Sequence, residues 1–500
     1  MALLIRGGRV LAGTPGSLAP ADILVEGDRI AAVGPALPVP AGARLIDATG
    51  RLVLPGLGNA HTHAASHLAR GRAGNWTLED LLTFAPANYG FRSAEDEYLS
   101  AAIGAIEMLK TGCTAAYDLY MAVPAITDEA FEAVVRAYTE VGMRVVLAPA
   151  VADVVFYQTV PDLADQLPPD LRRVVDELQP APTKGLLGLT ERAIRRWHGS
   201  ADGRVRIGVA PTIPNQATDE FLDGCAALAR EYGVGVHTHL AESKVQVIQS
   251  HRRWGKSIVA RLAEHGLLGP GFVGAHSIWL TDLDLRMLAD AGAAVAHNPG
   301  SNLRLGCGIA PVREMLDRGV AVGLGTDGST CADNQNLFEA LRIASVISTI
   351  RFPHETARWL DADTVWALAT TGTARVLGQA GDLGAIAPRG KADLVLLRAD
   401  SIFLSPLADP VKALVYAETG AAVDTVLVDG QIVVERGRVT TVDEERIYAR
   451  AQEAADRQRG RSAQAWQLAE RLAPYVAAAC RSAVATPLPI NRFAAPPPSA

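Results

Sequence analysis

Apolar and polar positions change their period along this chain. Over the first fifty residues, short apolar runs are broken by turn signals: "ALLIRGGRVLAG", "ADILVEGDRIAAVG" and "ARLIDATGRLVLPG" are punctuated by Gly-Gly, Gly-Asp and Thr-Gly. This reads as strands joined by turns. The same texture returns in "KADLVLLRAD" and "VDTVLVDGQIVVERGRV", where Asp-Gly marks a hairpin. The two β-rich ends, 1–54 and 382–440, are expected to pair into one small β-sandwich.

Between them, over 55–381, the pattern alternates. The apolar runs "RLVLPGL", "CTAAYDL", "RVVLAPAV", "VRIGVAP", "VGVHTHL", "FVGAHSI", "AAVAHNP" and "VAVGLGTD" are separated by amphipathic segments such as "TDEAFEAVVRAYTEVG" and "TDLDLRMLADAG". Each such segment opens on Ser, Thr, Asp or an acidic first turn and ends near glycine, as helices do. Strands alternating with helices predict an α/β fold, a (β/α)8 TIM barrel with its catalytic face at the strand C-termini. A doubly wound open sheet is the alternative, but no G-x-G-x-x-G follows a strand to support it. Residues 441–500 differ again: an alanine-rich helical extension, then the proline-rich tail "ATPLPINRFAAPPPSA", which reads as extended, partly disordered or packed on a neighbour.

With 500 residues the chain can bury one large catalytic core and a smaller one. A formal charge of −7 gives no reason to expect a nucleic-acid partner. No apolar stretch reaches the roughly 18 residues of a membrane helix, and "MALLIRGGRVLAG" lacks the pattern of a signal peptide. A cytoplasmic protein without membrane partners is the expectation. Five widely spaced cysteines without a Cys-x-x-Cys argue for a reducing compartment and against a thiolate metal site. Any metal would then be held by histidine and carboxylate.

Those residue types gather at four predicted strand ends. His61 and His63 follow the first run, His239 and Glu242 the fifth, His276 the sixth and Asp327 the eighth. In an extended His-x-His both side chains point to one side, so both imidazoles can reach one ion. Such an ion lowers the pKa of a bound water toward neutrality. Each residue also has an ordinary reading. A histidine at a strand end commonly makes only a hydrogen bond, and "TDG" is a turn that Asp327 could cap. Four compatible strand ends in one chain favour the joint reading.

The stretches "LPGLGNAHTH", "HLAES", "GAHSIWL", "HNPGSNLRLGCGIAPV" and "GLGTDG" together resemble the amidohydrolase superfamily, in particular its cytosine-deaminase-like branch, over roughly residues 1–440. That branch includes deaminases of N-heterocycles and triazine hydrolases. The resemblance implies one divalent metal ion, Zn2+ or Fe2+, with His61, His63, His239 and Asp327 as ligands. It implies Glu242 as the proton-shuttling acid, His276 as the residue at the attacking water or oxyanion, and Asp327 as general base. The strand-four candidate has no bridging lysine, so one metal is expected rather than two. The implied activity is deamination of a small aminated N-heterocycle, a carbon–nitrogen hydrolase acting on a cyclic amidine. Release of an alkylamine, chloride or a carbamate-type amine is the alternative within the enzyme class. A catalytically inactive binding module is the alternative outside it. A homodimer or homotetramer is common in such proteins.

Other residues are read more openly. His237, two before His239, is a further ligand or a deeper polar residue. His67 is a pocket-edge or helix residue, and His297 shapes the pocket or packs. Trp76 stacks on a planar substrate or joins the core. Asn302, in the loop after the seventh run, faces substrate or serves the loop. The segment "DVVFYQTVPDLADQLPPDL" is expected to cover the pocket.

Overall fold

The computed structural model describes residues 2–12 and 17–493. The chain opens with strands β1 (Ala2–Ala12), β2 (Ser17–Glu26), β3 (Arg29–Gly34), β4 (Arg44–Asp47) and β5 (Arg51–Pro55). A parallel series follows: β6 (Leu57–Thr62), β7 (Cys113–Tyr120), β8 (Arg144–Val151), β9 (Val205–Ile207), β10 (Ala210–Pro211), β11 (Val236–Leu240), β12 (Phe272–His276), β13 (Ala294–His297) and β14 (Ala321–Leu324). The last strands are β15 (Leu394–Arg398), β16 (Val423–Val428), β17 (Gln431–Glu435) and β18 (Arg438–Val439).

The two ends of the chain meet in one nine-stranded sheet of order β18-β17-β16-β15-β5-β1-β2-β3, with β4 on β1. Its seam is the antiparallel β5–β15 pair, in which Leu54 faces Val395. The Asp-Gly hairpin forms as expected between β16 and β17, with Asp429 and Gly430 both at positive φ.

One strand assignment differs from the sequence-based expectation. "RLVL" was expected to be the strand that carries the histidines, but it is β5 and belongs to the terminal sheet. Pro55 ends it, and Gly56 turns the chain where any side chain would strike Thr114. A new, less apolar strand, "LGNAHT", then carries His61 itself. The apolar run was the stronger local signal. Pairing with β7 makes the weaker one a strand.

The parallel strands form two sheets, β10-β8-β7-β6 with β9 on β8, and β11-β12-β13-β14. Val209 and Val236 bridge them in parallel, and His237 N donates to Val209 O at 2.9 Å. On the other side, Asp327 N donates to His61 O at 2.8 Å, which brings the end of β14 beside β6. Helices lie between successive strands. Their starts are the expected ones: Thr127, Thr218 and Thr281 cap with their side chains, and Gly142 and Gly233 end helices in the left-handed conformation. Alanine, valine and leucine fill the space between strands and helices, and Ala60, Tyr117, Val146 and Ala296 form a second cluster with residues of other strands.

The C-terminal extension forms helices Glu444–Arg461 and Ala463–Val484, and the described part of the tail packs back on its own chain. Its last residues, 494–500, lie outside the described residues. Among the described residues, no helix is long and apolar enough to cross a membrane.

Candidate active site

Five of the predicted residues converge. His61, His63, His239, His276 and Asp327 are all buried, from four strand ends. Nitrogens of His61, His63 and His239 lie within 4.8 Å of one another, as do ligand atoms of His61, His276 and Asp327. Asp327 Oδ1 is 3.2 Å from His63 Nε2 and 3.6 Å from His61 Nε2, and Oδ2 is 3.6 Å from His276 Nε2.

Neighbouring strands set which nitrogen faces the centre. His63 Nδ1 lies 2.7 Å from the carbonyl of Leu119, at the end of β7. His239 Nδ1 lies 2.6 Å from the carbonyl of Thr212, just after β10. A carbonyl only accepts, so each Nδ1 carries the proton and each Nε2 presents a lone pair. These two Nε2 atoms face each other at 3.2 Å. Neither ring nitrogen of His61 has a hydrogen-bond partner. Buried acceptors converging without a donor are costly in an apolar interior. A divalent cation is the partner this set fits, and nitrogen and carboxylate are suited to zinc or iron.

The electrostatics agree for His61 and His239, while at His63 burial is outweighed by Asp327, which raises the pKa. Burial lowers the imidazolium pKa of His61 to about 3, and that of His239 falls well below the ordinary value. Burial alone would raise Asp327, but the imidazoles of His61 and His63 outweigh it and hold the carboxyl well below its usual range. The local backbone is strained: Ala241, His276, Ser277 and Asp327 all have φ between 47° and 67°. Such conformations in non-glycine residues cluster at functional sites.

Glu242 sits beside this cluster. Its Oε1 is 3.7 Å from His276 Nδ1, and its Oε2 has no hydrogen-bond partner. Burial, then the charges of Asp327 and Glu79, push its pKa well above the carboxylate range. Its proton is therefore held more tightly than that of an exposed carboxyl.

The remaining predicted residues fall in different places. Asn302 is buried with Oδ1 2.9 Å from His276 Nδ1, so its visible role is to hold that ring. Trp76 stacks on Phe84 at 4.6 Å and 14° and lies 5.9 Å from Trp466, in an aromatic cluster with the C-terminal extension. His237 is 5.0 Å from His61, ring to ring, and edge-on to Tyr117. His67 holds Ser329 through Nδ1 at 2.7 Å.

Several site residues escaped the sequence reading. Asn59, Thr62, Thr326 and Gln335 form a buried network that ties β6 to the Asp327 turn: Gln335 Oε1 accepts from Thr62 and Thr326, and Gln335 Nε2 donates to Asp327 O at 2.8 Å. The available signal was a polar residue, Asn59, inside a buried strand. Glu79 is the other omission. Ser243 donates to it at 2.6 Å, and burial raises its pKa.

Fold and site together define a metal-dependent hydrolase. Residues 52–433 match the sequence profile of the amidohydrolase family, and the chain belongs to that family. It is 34% identical over 455 residues to the 5'-deoxyadenosine deaminase of Methanothermobacter thermautotrophicus, with 91% of this chain and 98% of that protein aligned. It is 36% identical over 462 residues to the 5-methylthioadenosine/S-adenosylhomocysteine deaminase of Symbiobacterium thermophilum, with 91% and 98% aligned. The structure of atrazine chlorohydrolase from Arthrobacter aurescens TC1, complexed with zinc, superposes with a TM-score of 0.81 at 29% identity, covering 91% of this chain and all of that one.

Proposed function

We propose that this protein is an aminohydrolase that removes the 6-amino group of an adenine nucleoside whose 5' position is modified. The observation that carries the reading is Glu242, a buried carboxyl whose Oε1 lies 3.7 Å from His276 Nδ1 at the edge of the histidine–aspartate cluster. An amidine-like ring needs a proton on its ring nitrogen as the nucleophile adds, and a proton on the amine as it leaves. A protonated carboxyl can supply the first, and the proton released by the attacking water supplies the second. Two relatives of near-equal length are deaminases of such nucleosides, which supports the choice of ring.

His61, His63, His239 and Asp327 would hold one Zn2+ or Fe2+. When bound, the ion supplies a water acidic enough to serve as nucleophile near neutral pH. Asp327, held ionised, would be placed to accept a proton from such a water and pass it toward the departing amine. His63 and His239 keep their Nδ1 protons on backbone carbonyls, which holds both rings in the ligating tautomer. His276 donates Nδ1–H to Asn302 and turns its Nε2 lone pair toward Asp327, suited to ligation or to accepting a proton. Stabilising an oxyanion would take the other tautomer, with the Asn302 amide reversed.

The two parallel arcs are read as halves of an eight-stranded barrel, with β9 and β10 together counting as one strand. The links Val209–Val236 and Asp327–His61 support closure on both sides. The division into a terminal β domain (1–54 and 382–440), a catalytic domain (55–381) and an extension (441–500) follows these sheets.

The test is ammonia release by metal-loaded protein over adenosine, 5'-deoxyadenosine, 5'-methylthioadenosine, cytosine and an aminotriazine. Ammonia from the purine nucleosides is the expected result. Chloride from a chlorotriazine without ammonia from any nucleoside would move the assignment to a halide leaving group. Protein that binds metal but turns over none of these substrates would favour a binding role.

A further inference from the structure

The C-terminal extension begins after the region shared with the family profile, which ends at residue 433. It nonetheless reaches the site. Helix Ala463–Val484 packs Leu472, Val476 and Ala483 against Leu163 and Leu171 of the segment after β8 and against Ile248 of the helix after Glu242. Lys244 Nζ donates to Val484 O at 2.6 Å. The tail then crosses back over two strand ends. The buried Arg492 donates from Nε to Ile278 O at 3.0 Å, two residues past His276, and its own carbonyl accepts from Ile309 N at 2.7 Å. Phe493 meets the ring of Trp279 at 4.9 Å.

Between this extension and the strand ends lies a cleft of about 320 Å³. Its inner end carries Glu79, Ser243 and Cys307. Cys307 Sγ is 4.0 Å from Glu242 Oε1, so the cleft borders the proton donor. From the extension it is lined by Ala477, Cys480, Val484 and Phe493, with Arg481 the one charged side chain among them. The volume is within the range of small-molecule sites, and such sites take apolar groups against apolar walls.

We propose that the C-terminal extension is one wall of the substrate site, and that Ala477, Cys480, Val484 and Phe493 select an apolar substituent carried by the aminated ring. The inference rests on the deaminase reading above and adds a specificity element outside the shared catalytic region. The ring amine sits by Glu242 and His276, and the substituent points outward along the cleft. An uncharged thioether suits these four side chains, and the polar groups of the cleft, Glu79, Ser243, Lys244 and Arg481, are left for polar parts of the substrate.

The experiment compares kcat/KM for 5'-isobutylthioadenosine and for adenosine, in full-length metal-loaded protein. Cys480→Phe fills the cleft, and Ala477→Leu fills it with less bulk should the first variant fold poorly. Bound metal and thermal midpoint are measured for each. The ratio of the two kcat/KM values is expected to fall at least tenfold in Cys480→Phe and severalfold in Ala477→Leu, with metal content unchanged. An unchanged ratio in a folded, metal-loaded variant overturns the inference while leaving the deaminase reading standing. Absence of ammonia from every nucleoside with wild-type protein overturns both.

Discussion

Nδ1 of His276 lies 2.9 Å from Oδ1 of Asn302, and both side chains are buried. The pair joins the end of β12 to the helix after β13 and decides which His276 nitrogen faces Asp327. Asn302→Leu keeps the volume but removes the acceptor, so the ring is free to flip. Turnover should fall about ten- to a hundredfold, the usual effect of losing a partner that orients a site histidine. The KM should change little, and metal content should hold because His61, His63, His239 and Asp327 are untouched and His63 and His239 keep their carbonyl partners. Steady-state kinetics with metal analysis checks this; a variant with wild-type kcat would show that Asn302 does not position His276.

Glu242 and His239 separate proton transfer from metal binding. Glu242→Gln preserves shape but cannot deliver a proton, so activity should drop by about two to four orders of magnitude with metal retained. His239→Ala removes a nitrogen from the cluster and should purify with much less metal. The two variants are compared by elemental analysis beside the ammonia assay. Full metal in His239→Ala would remove it from the ligand set.

Arg144, at the start of β8, is 1% exposed and binds Asp393 at 3.1 Å and Asp429 at 2.5 Å. It is the buried tie between the parallel strands and the terminal sheet. Arg144→Met leaves Asp393 buried without its cation, while Asp429 keeps Lys391, and breaking a buried pair costs about 3–5 kcal/mol. The urea midpoint should fall accordingly. A shift within error would mean that Lys391, 3.2 Å from Asp429, compensates.

Glu97 gives a pH dependence. Its Oε2 has no hydrogen bond, the Arg92 guanidinium stands 3.7 Å away, and burial pushes its pKa up to about 7. Unfolded, it titrates near 4.5. Between these values the folded chain binds the proton more tightly, so stability falls as pH rises through the window. Above pH 7 the loss from this one group approaches about 3 kcal/mol. Glu97→Gln abolishes it. The difference in unfolding free energy, variant minus wild type, should therefore grow between pH 5 and pH 8. Parallel curves would show that Arg92 offsets the burial of Glu97.

Much of this site was legible along the chain because it depends on local period and donor chemistry. His61 and His63 share a side because an extended backbone alternates with period two. Glu242 follows His239 by three residues, and the Ser and Thr caps set the helix starts. These relationships span a few residues and are carried by the pattern itself. The three-dimensional arrangement decided what depends on partners far away in sequence. "RLVL" became part of the terminal sheet because β15, more than three hundred residues on, offers it a pairing edge. The tautomers of His63 and His239 are set by the carbonyls of Leu119 and Thr212, and the ring of His276 is held by Asn302. Gln335 and Asn59 hold the Asp327 turn through bonds between separate strands. The cleft wall comes from a helix near the other end of the chain. A hydrogen bond or an apolar contact acts only at a few ångströms, so which distant residues supply it is fixed when the chain packs.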